Sequence, residues 1–237
     1  MHDPTLVLLP GLLCDAAAWR HQFEALSALT ACEVASYGDA DAITAMARAV
    51  LAQVPAGPLA LAGHSMGGRV ALEVARLAPE RLQRIALLDT GTEPLAAGEA
   101  GEQERAKRMA LLERARREGM RAMGREWARG MVHPARLDSP VFEDILDMIE
   151  RSTPERFEAQ QRALLARPDV RPVFASLRCP TLLVCGRQDA WSPLARHEQM
   201  RSELPQARLV VIEDAGHMSP MEQPEAVTRA LREWLEN

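Results

Sequence analysis

The strongest constraint on this chain is a set of short apolar runs that do not alternate. Leu6-Val7-Leu8-Leu9 and Thr181-Leu182-Leu183-Val184 offer no regular polar position. A strand with one wet face alternates, so runs like these belong to strands buried on both faces. The strand candidates are Thr5–Leu9, Cys32–Ser36, Pro58–Gly63, Arg84–Asp89, Pro180–Gly186 and Ala207–Glu213. Between them lie helical stretches at Asp15–Leu29, Asp41–Val54, Met66–Ala78, Pro193–Leu204 and Pro224–Leu235. Asp41 stands where an N-cap belongs, and Pro193 and Pro224 suit a first helical turn. Strands alternating with helices predict a mostly parallel α/β sheet of about six strands, covered on both faces.

The alternation breaks once. From Thr90 to Arg178 there is no convincing strand, and the composition turns to Arg, Glu, Ala, Leu and Met. The spacing of Leu112, Met120, Met123, Trp127 and Met131 suits helices packed on one side. Prolines at 134, 140, 154, 168 and 172 punctuate the segment. It reads as an insertion of three or four helices. The chain is therefore expected to form one domain, with a core from 1–89 and 179–237 and a helical cap from 90–178.

Composition removes several classes of function. Hydrophobic residues make up 47% of the 237, enough for a sizeable core, so a disordered chain is excluded. The net charge of -5 gives no electrostatic reason to expect a nucleic acid partner. No apolar run approaches the roughly 18 residues of a membrane span. Met1-His2-Asp3-Pro4-Thr5 lacks the basic segment and cleavage site of a signal peptide. Cys14, Cys32, Cys179 and Cys185 show no paired metal spacing and are too few to staple the chain. They read as reduced thiols, and the expected location is cytoplasmic.

The chemistry concentrates at Gly63-His64-Ser65-Met66-Gly67, between a strand and a helix. In a G-x-S-x-G turn the chain reverses sharply and holds the serine hydroxyl exposed. Side chains at the flanking glycines would collide with the neighbouring strand and helix. The bland alternative is a glycine-rich turn around an inert serine. Serine needs a base, and of the six histidines His217 stands out, in a loop between the last strand and the last helix. His64 is adjacent to the serine but on the wrong side of the turn, which leaves it a packing role. His21 and His197 fall within helices and read as surface or boundary residues.

A carboxylate should orient the histidine and support its charged form. Asp189, in Gly186-Arg187-Gln188-Asp189, is preferred over Asp89, at the end of its own strand, and over Asp214, three residues before His217. The order Ser65, Asp189, His217 is the one expected for this kind of serine turn. The backbone N–H groups of Met66 and Leu12 are the candidate oxyanion donors, Gly11 giving access to the second. Cys14 lies nearby but has neither a base nor a turn of its own.

These motifs resemble the α/β-hydrolase superfamily, in the compact group whose elbow reads Gly-His-Ser-Met-Gly-Gly. The likeness spans the oxyanion loop with Trp19, the elbow, the helical insertion, Gly-Arg-Gln-Asp and Gly-His. In style it is similar to pimeloyl-carrier-protein methyl ester esterases, enol-lactonases and cofactor-free haloperoxidase-like esterases. Pro10 stands where many relatives have histidine, and the usual first hairpin is missing. Tyr37-Gly38-Asp39-Ala40-Asp41 replaces a longer loop, which should leave that edge of the site more open.

The resemblance implies the first and third strands side by side at a switch point, with a crevice opening above their carboxyl ends. It also implies a serine hydrolase that cleaves a carboxylic ester or thioester of a small or medium acyl group through an acyl-enzyme on Ser65, with no metal or organic cofactor. A lactonase or carbon–carbon bond hydrolase with the same three residues is the alternative. A ligand sensor on a hydrolase scaffold is a third. The expected partner is a small molecule. Arg105, Lys107, Arg108, Arg114, Arg116, Arg117, Arg121, Arg125 and Arg129 lie in one stretch with only Glu113, Glu118 and Glu126. Such a stretch could dock an acidic carrier protein, with a solvated helix face as the plainer reading.

Overall fold

In the computed structural model, which describes residues 4–236, the six strand candidates join in one sheet. Its strands are β1 (Thr5–Leu9), β2 (Cys32–Val34), β3 (Leu59–His64), β4 (Leu82–Leu88), β5 (Thr181–Gly186) and β6 (Arg208–Ile212). They lie in the order β2-β1-β3-β4-β5-β6, and every neighbouring pair is parallel. β3 and β5 are buried at every position, which is why neither alternates. The order reverses between β1 and β3, where Leu9 pairs with Gly63. At such a switch point the loops leaving the two strands diverge and open a crevice above their carboxyl ends.

The helices are α1 (Arg20–Leu26), α2 (Ile43–Gln53), α3 (Met66–Leu77), α4 (Glu99–Glu118), α5 (Met120–Trp127), α6 (Pro140–Glu150), α7 (Pro154–Leu165), α8 (Arg171–Ser176), α9 (Leu194–Glu203), α10 (Ser219–Glu222) and α11 (Pro224–Glu236). α2 packs with α3, and α1 with α11. No helix among the described residues is long and apolar enough to cross a membrane. The opening residues Met1-His2-Asp3, read above for a leader, lie outside the described residues.

Several local expectations give way. The stretch Asp15–Leu29 splits into a 3-10 turn at Ala16–Trp19 and the shorter α1, because Asp15 accepts from the Ala17 N–H and caps the turn instead. Asp41 does not cap α2; Ala42 holds that position without a side-chain bond, and Asp41 lies beside Arg162. Pro193 precedes α9, whereas Pro224 does open α11. Between β4 and β5 there are five α-helices, α4 to α8, rather than three or four. Gly119 accounts for one extra break: at φ 88 it turns the chain between α4 and α5. Arg156 and Arg162 of α7 lie beside Asp39 and Asp41 of the short 37–41 loop, and all four side chains stay exposed.

The crossing points of this helical segment are tied together. Val170 N–H donates to Thr92 O as the returning chain passes the departing one. Arg69 of α3 and Arg167 both donate to Glu93 O, and Arg167 also pairs with Glu104.

Candidate active site

Close packing forces the turn after β3. A Cβ on Gly67 would lie 2.0 Å from Leu9 O, and one on Gly63 would lie 2.4 Å from Gly67 O. Only glycines let α3 start this near β1. Between them Ser65 is held at φ 55 and ψ -117, a strained conformation for a residue with a side chain. Its N–H donates to Leu88 O, and Thr90 Oγ1 donates to its carbonyl. The turn is thus pinned from β4, and the hydroxyl projects over the start of α3 with its positive dipole end.

The structure brings Ser65, His217 and Asp189 into one hydrogen-bonded line. Ser65 Oγ is 2.8 Å from His217 Nε2, and His217 Nδ1 is 2.8 Å from Asp189 Oδ2. Asp189 is acceptor-only when ionised, so Nδ1 carries the proton and the serine O–H donates to Nε2. The other Asp189 oxygen accepts the N–H groups of Trp191 and Ser192, both at 2.8 Å. Burial raises the Asp189 carboxyl, but His217 and these donors outweigh it and hold it below its ordinary value. Burial pulls His217 down, but the Asp189 charge and hydrogen bond leave its pKa above that of free imidazole.

The other candidates go elsewhere. Asp89 does not reach His217: it accepts from Gly186 N at 2.9 Å and from Ser219 Oγ at 2.6 Å. Burial and the nearby Asp189 charge push its carboxyl well above the ordinary value. Asp214 is exposed on its loop. Burial pushes the Cys14 thiol up to about 12, and the cysteines are free. Among the described residues the Leu12 N–H has no acceptor. Met66, as the first residue of α3, has no intrahelical acceptor either.

Two histidines differ from expectation. His197, read as surface or boundary, is fully buried; it accepts the Thr90 N–H, and burial lowers its pKa to about 4. His64 is more than packing, because its Nε2 lies 2.7 Å from His217 O and donates to it. Burial lowers its pKa to about 3, so it stays neutral. Its partner is 153 residues away, and nothing local to the elbow signals that bond.

Glu222 was not singled out, yet it organises the histidine loop. It is buried; one carboxylate oxygen accepts Gly216 N (3.0 Å) and Met218 N (3.1 Å), on either side of His217. The other accepts His133 N at 2.6 Å, from the helical segment. Burial leaves its pKa above the ordinary value despite these donors. His217 N–H itself donates to Met131 O at 2.5 Å. The spacing Gly-His-x4-Glu was the available signal, but the carboxylate's donors come partly from a segment 89 residues away.

The sequence profile of the alpha/beta hydrolase family matches residues 6–230. The chain belongs to that family and is a hydrolase. It is 28% identical over 97% of its length to the dihydrolipoyllysine-residue acetyltransferase component of the acetoin cleaving system of Pseudomonas putida, of which it spans only 63%. It is 27% identical over 94% of its length to the pimeloyl-[acyl-carrier protein] methyl ester esterase of Nitrosomonas europaea, covering 92% of that protein. Among solved structures, a thermophilic esterase from Thermogutta terrifontis, with malate bound, superposes at a TM-score of 0.88. The two are 33% identical, with 99% of this chain and 90% of that one covered.

Proposed function

We propose that this hydrolase cleaves a carboxylic ester or thioester of a small or medium acyl group through an acyl-enzyme on Ser65. The observation that carries the reading is the Ser65–His217–Asp189 line, at 2.8 Å for each link, on a strained elbow. His217 Nε2 takes the hydroxyl proton as Ser65 Oγ bonds to the substrate carbonyl carbon. The carbonyl oxygen becomes an oxyanion held by the N–H groups of Leu12 and Met66. As the tetrahedral centre collapses, the bond to the leaving group breaks and the Nε2 proton passes to it. Water then enters, loses a proton to Nε2, attacks the acyl carbon, and the proton returns to Ser65 as the acid departs.

In this reading Asp189 fixes the tautomer and supports the imidazolium, and the segment 90–178 acts as a cap over the crevice. That relatives include esterases supports an oxygen ester over a thioester as the substrate.

A fluorophosphonate probe should add one phosphonyl group at Ser65, seen by peptide mass, and nothing in Ser65→Ala. The variant should lose about 10⁴- to 10⁶-fold in kcat. Retention of a tenth of wild-type turnover by pure Ser65→Ala would remove the nucleophile. A panel of esters, thioesters and lactones identifies the acyl class.

A further inference from the structure

A chain of aromatic rings runs from His217 to the helical segment. His64 lies on one side of the imidazole, with ring centroids 5.3 Å apart, and Trp191 on another, also at 5.3 Å and tilted by 43°. Trp127 of α5 packs on Trp191 at 5.0 Å, and Phe157 of α7 packs on Trp127 at 6.1 Å. His64, His217 and Phe157 are buried, whereas both tryptophans keep part of their surface exposed. Partly exposed aromatic surface therefore lies directly beside the His217 imidazole.

Trp191 is held in that place from two directions. Its backbone N–H donates to Asp189 Oδ1 at 2.8 Å, so its main chain is tied to the acid. Its indole nitrogen lies 3.3 Å from where a Cβ on Gly130 would stand, so the helical segment approaches the indole closely there. Trp191 belongs to the loop after β5 and Trp127 to α5, so the pair sits on the seam between core and cap.

The reaction fixes what must pass this seam. During acylation the leaving-group oxygen accepts the proton from His217 Nε2, so it lies within hydrogen-bond reach of that atom. Whatever that oxygen carries extends beside the imidazole. We infer that Trp191 and Trp127 form the leaving-group subsite and select esters whose alcohol carries an aromatic ring. Tilted aromatic pairs with centroids in the 4.5–7 Å range gain beyond their buried area, because ring edges and faces carry opposite partial charge. Both rings already stack in this range with each other, and each keeps part of its surface exposed, where a substrate ring can meet it. A saturated ring of similar size buries the same area without that gain. This subsite rests on the acyl-enzyme reading above.

The test uses the full chain and butanoate esters of benzyl alcohol and cyclohexylmethanol, alcohols of similar size and acidity. Wild-type kcat/KM should favour the benzyl ester roughly two- to tenfold, the range that an aromatic pair supplies. Trp191→Leu and Trp127→Leu should each bring the ratio close to one by losing the benzyl ester preferentially. If Trp191→Leu does not fold, Trp127→Leu, which does not touch the imidazole, still decides. Equal wild-type rates, or a preference that survives in the folded variants, would overturn the subsite while ester hydrolysis stands. No turnover of either ester, together with no phosphonylation of Ser65, would overturn the acyl-enzyme reading and the subsite with it.

Discussion

Asp89 and Asp189 are two buried carboxyls at neighbouring strand ends, and their surroundings push them apart. Asp189 is held down by His217 and two backbone donors, whereas Asp89 is pushed up by burial and by the charge on Asp189. The proposed mechanism needs His217 neutral, because only then can Nε2 accept the serine proton. With its pKa raised, His217 stays protonated to a higher pH than free imidazole, so kcat/KM should fall on the acid side with a midpoint above about 6.5. Asp189→Asn removes the main influences that raise it, so the limb should move to lower pH while the plateau drops on the order of 10⁴-fold. Asp89→Asn should move the limb less and cost far less rate. A kcat/KM–pH profile of the two variants checks this, and exchanged outcomes would assign the acid to Asp89. At this scale the sequence was legible where chemistry is local: a serine between glycines, a histidine after a strand. It misplaced His197 at the surface and gave His64 only a packing role, because their partners Thr90 and His217 are 107 and 153 residues away.

Between elements, the strand ends were readable because apolar runs stop where burial stops, and β1 begins and ends at Thr5 and Leu9 as its pattern suggests. Helices were less readable because their limits depend on turns and distant carboxylates, as at Asp15 and Asp41. The same dependence shapes the contact between α10 and the helical segment. Glu222 ends α10 and links the loop around His217 to His133, while Gly216 lies so close to Met131 that a Cβ would stand 2.4 Å from its carbonyl oxygen. Glu222→Gln separates these two links. Its amide oxygen can keep both loop N–H groups, which leaves its NH2 facing the His133 N–H, donor against donor. Losing one charge-assisted bond costs about 1.5–3 kcal/mol. In a chain of this size that lowers Tm by roughly 3–12 °C. Thermal unfolding should show this drop, and Glu222→Ala, which frees all three donors, should drop further. Equal Tm for wild type and Glu222→Gln would mean that the carboxylate does not hold the two segments together.

Over the whole molecule, the most suggestive charge in the sequence is largely paired in space. The helical segment 90–178 holds 16 basic and 15 acidic residues, a net +1, with its basic stretch running from Arg105 to Arg129. Six of those nine cations, Arg108, Arg114, Arg116, Arg117, Arg121 and Arg125, sit in ion pairs with carboxylates. Several of the acids come from other helices: Glu143, Asp147 and Glu150 of α6 converge on Arg121, and Glu158 of α7 reaches Arg116. These acids follow the basic stretch by tens of residues, so a local window counts the arginines without their partners. A surface neutralised in this way focuses little field on an approaching acidic protein. Exposed pairs contribute little to stability themselves, and their effect is to remove steering rather than to hold the fold. If an acidic carrier docked on this stretch, association would be electrostatic and would weaken steeply as salt shortens the Debye length from about 10 Å at 0.1 M to about 3 Å at 1 M. The neutralised surface predicts the opposite: kcat/KM for an acyl ester on an acidic carrier protein should change less than about threefold between 0.05 and 0.5 M salt. It should also lie close to the value for the same ester on a short thiol fragment of the carrier. Measuring both substrates across that salt range decides the matter. A carrier-bound ester preferred by more than tenfold at low salt, with the preference lost at high salt and in Arg105→Glu/Arg129→Glu, would restore the docking role to the arginines that the acids leave uncovered.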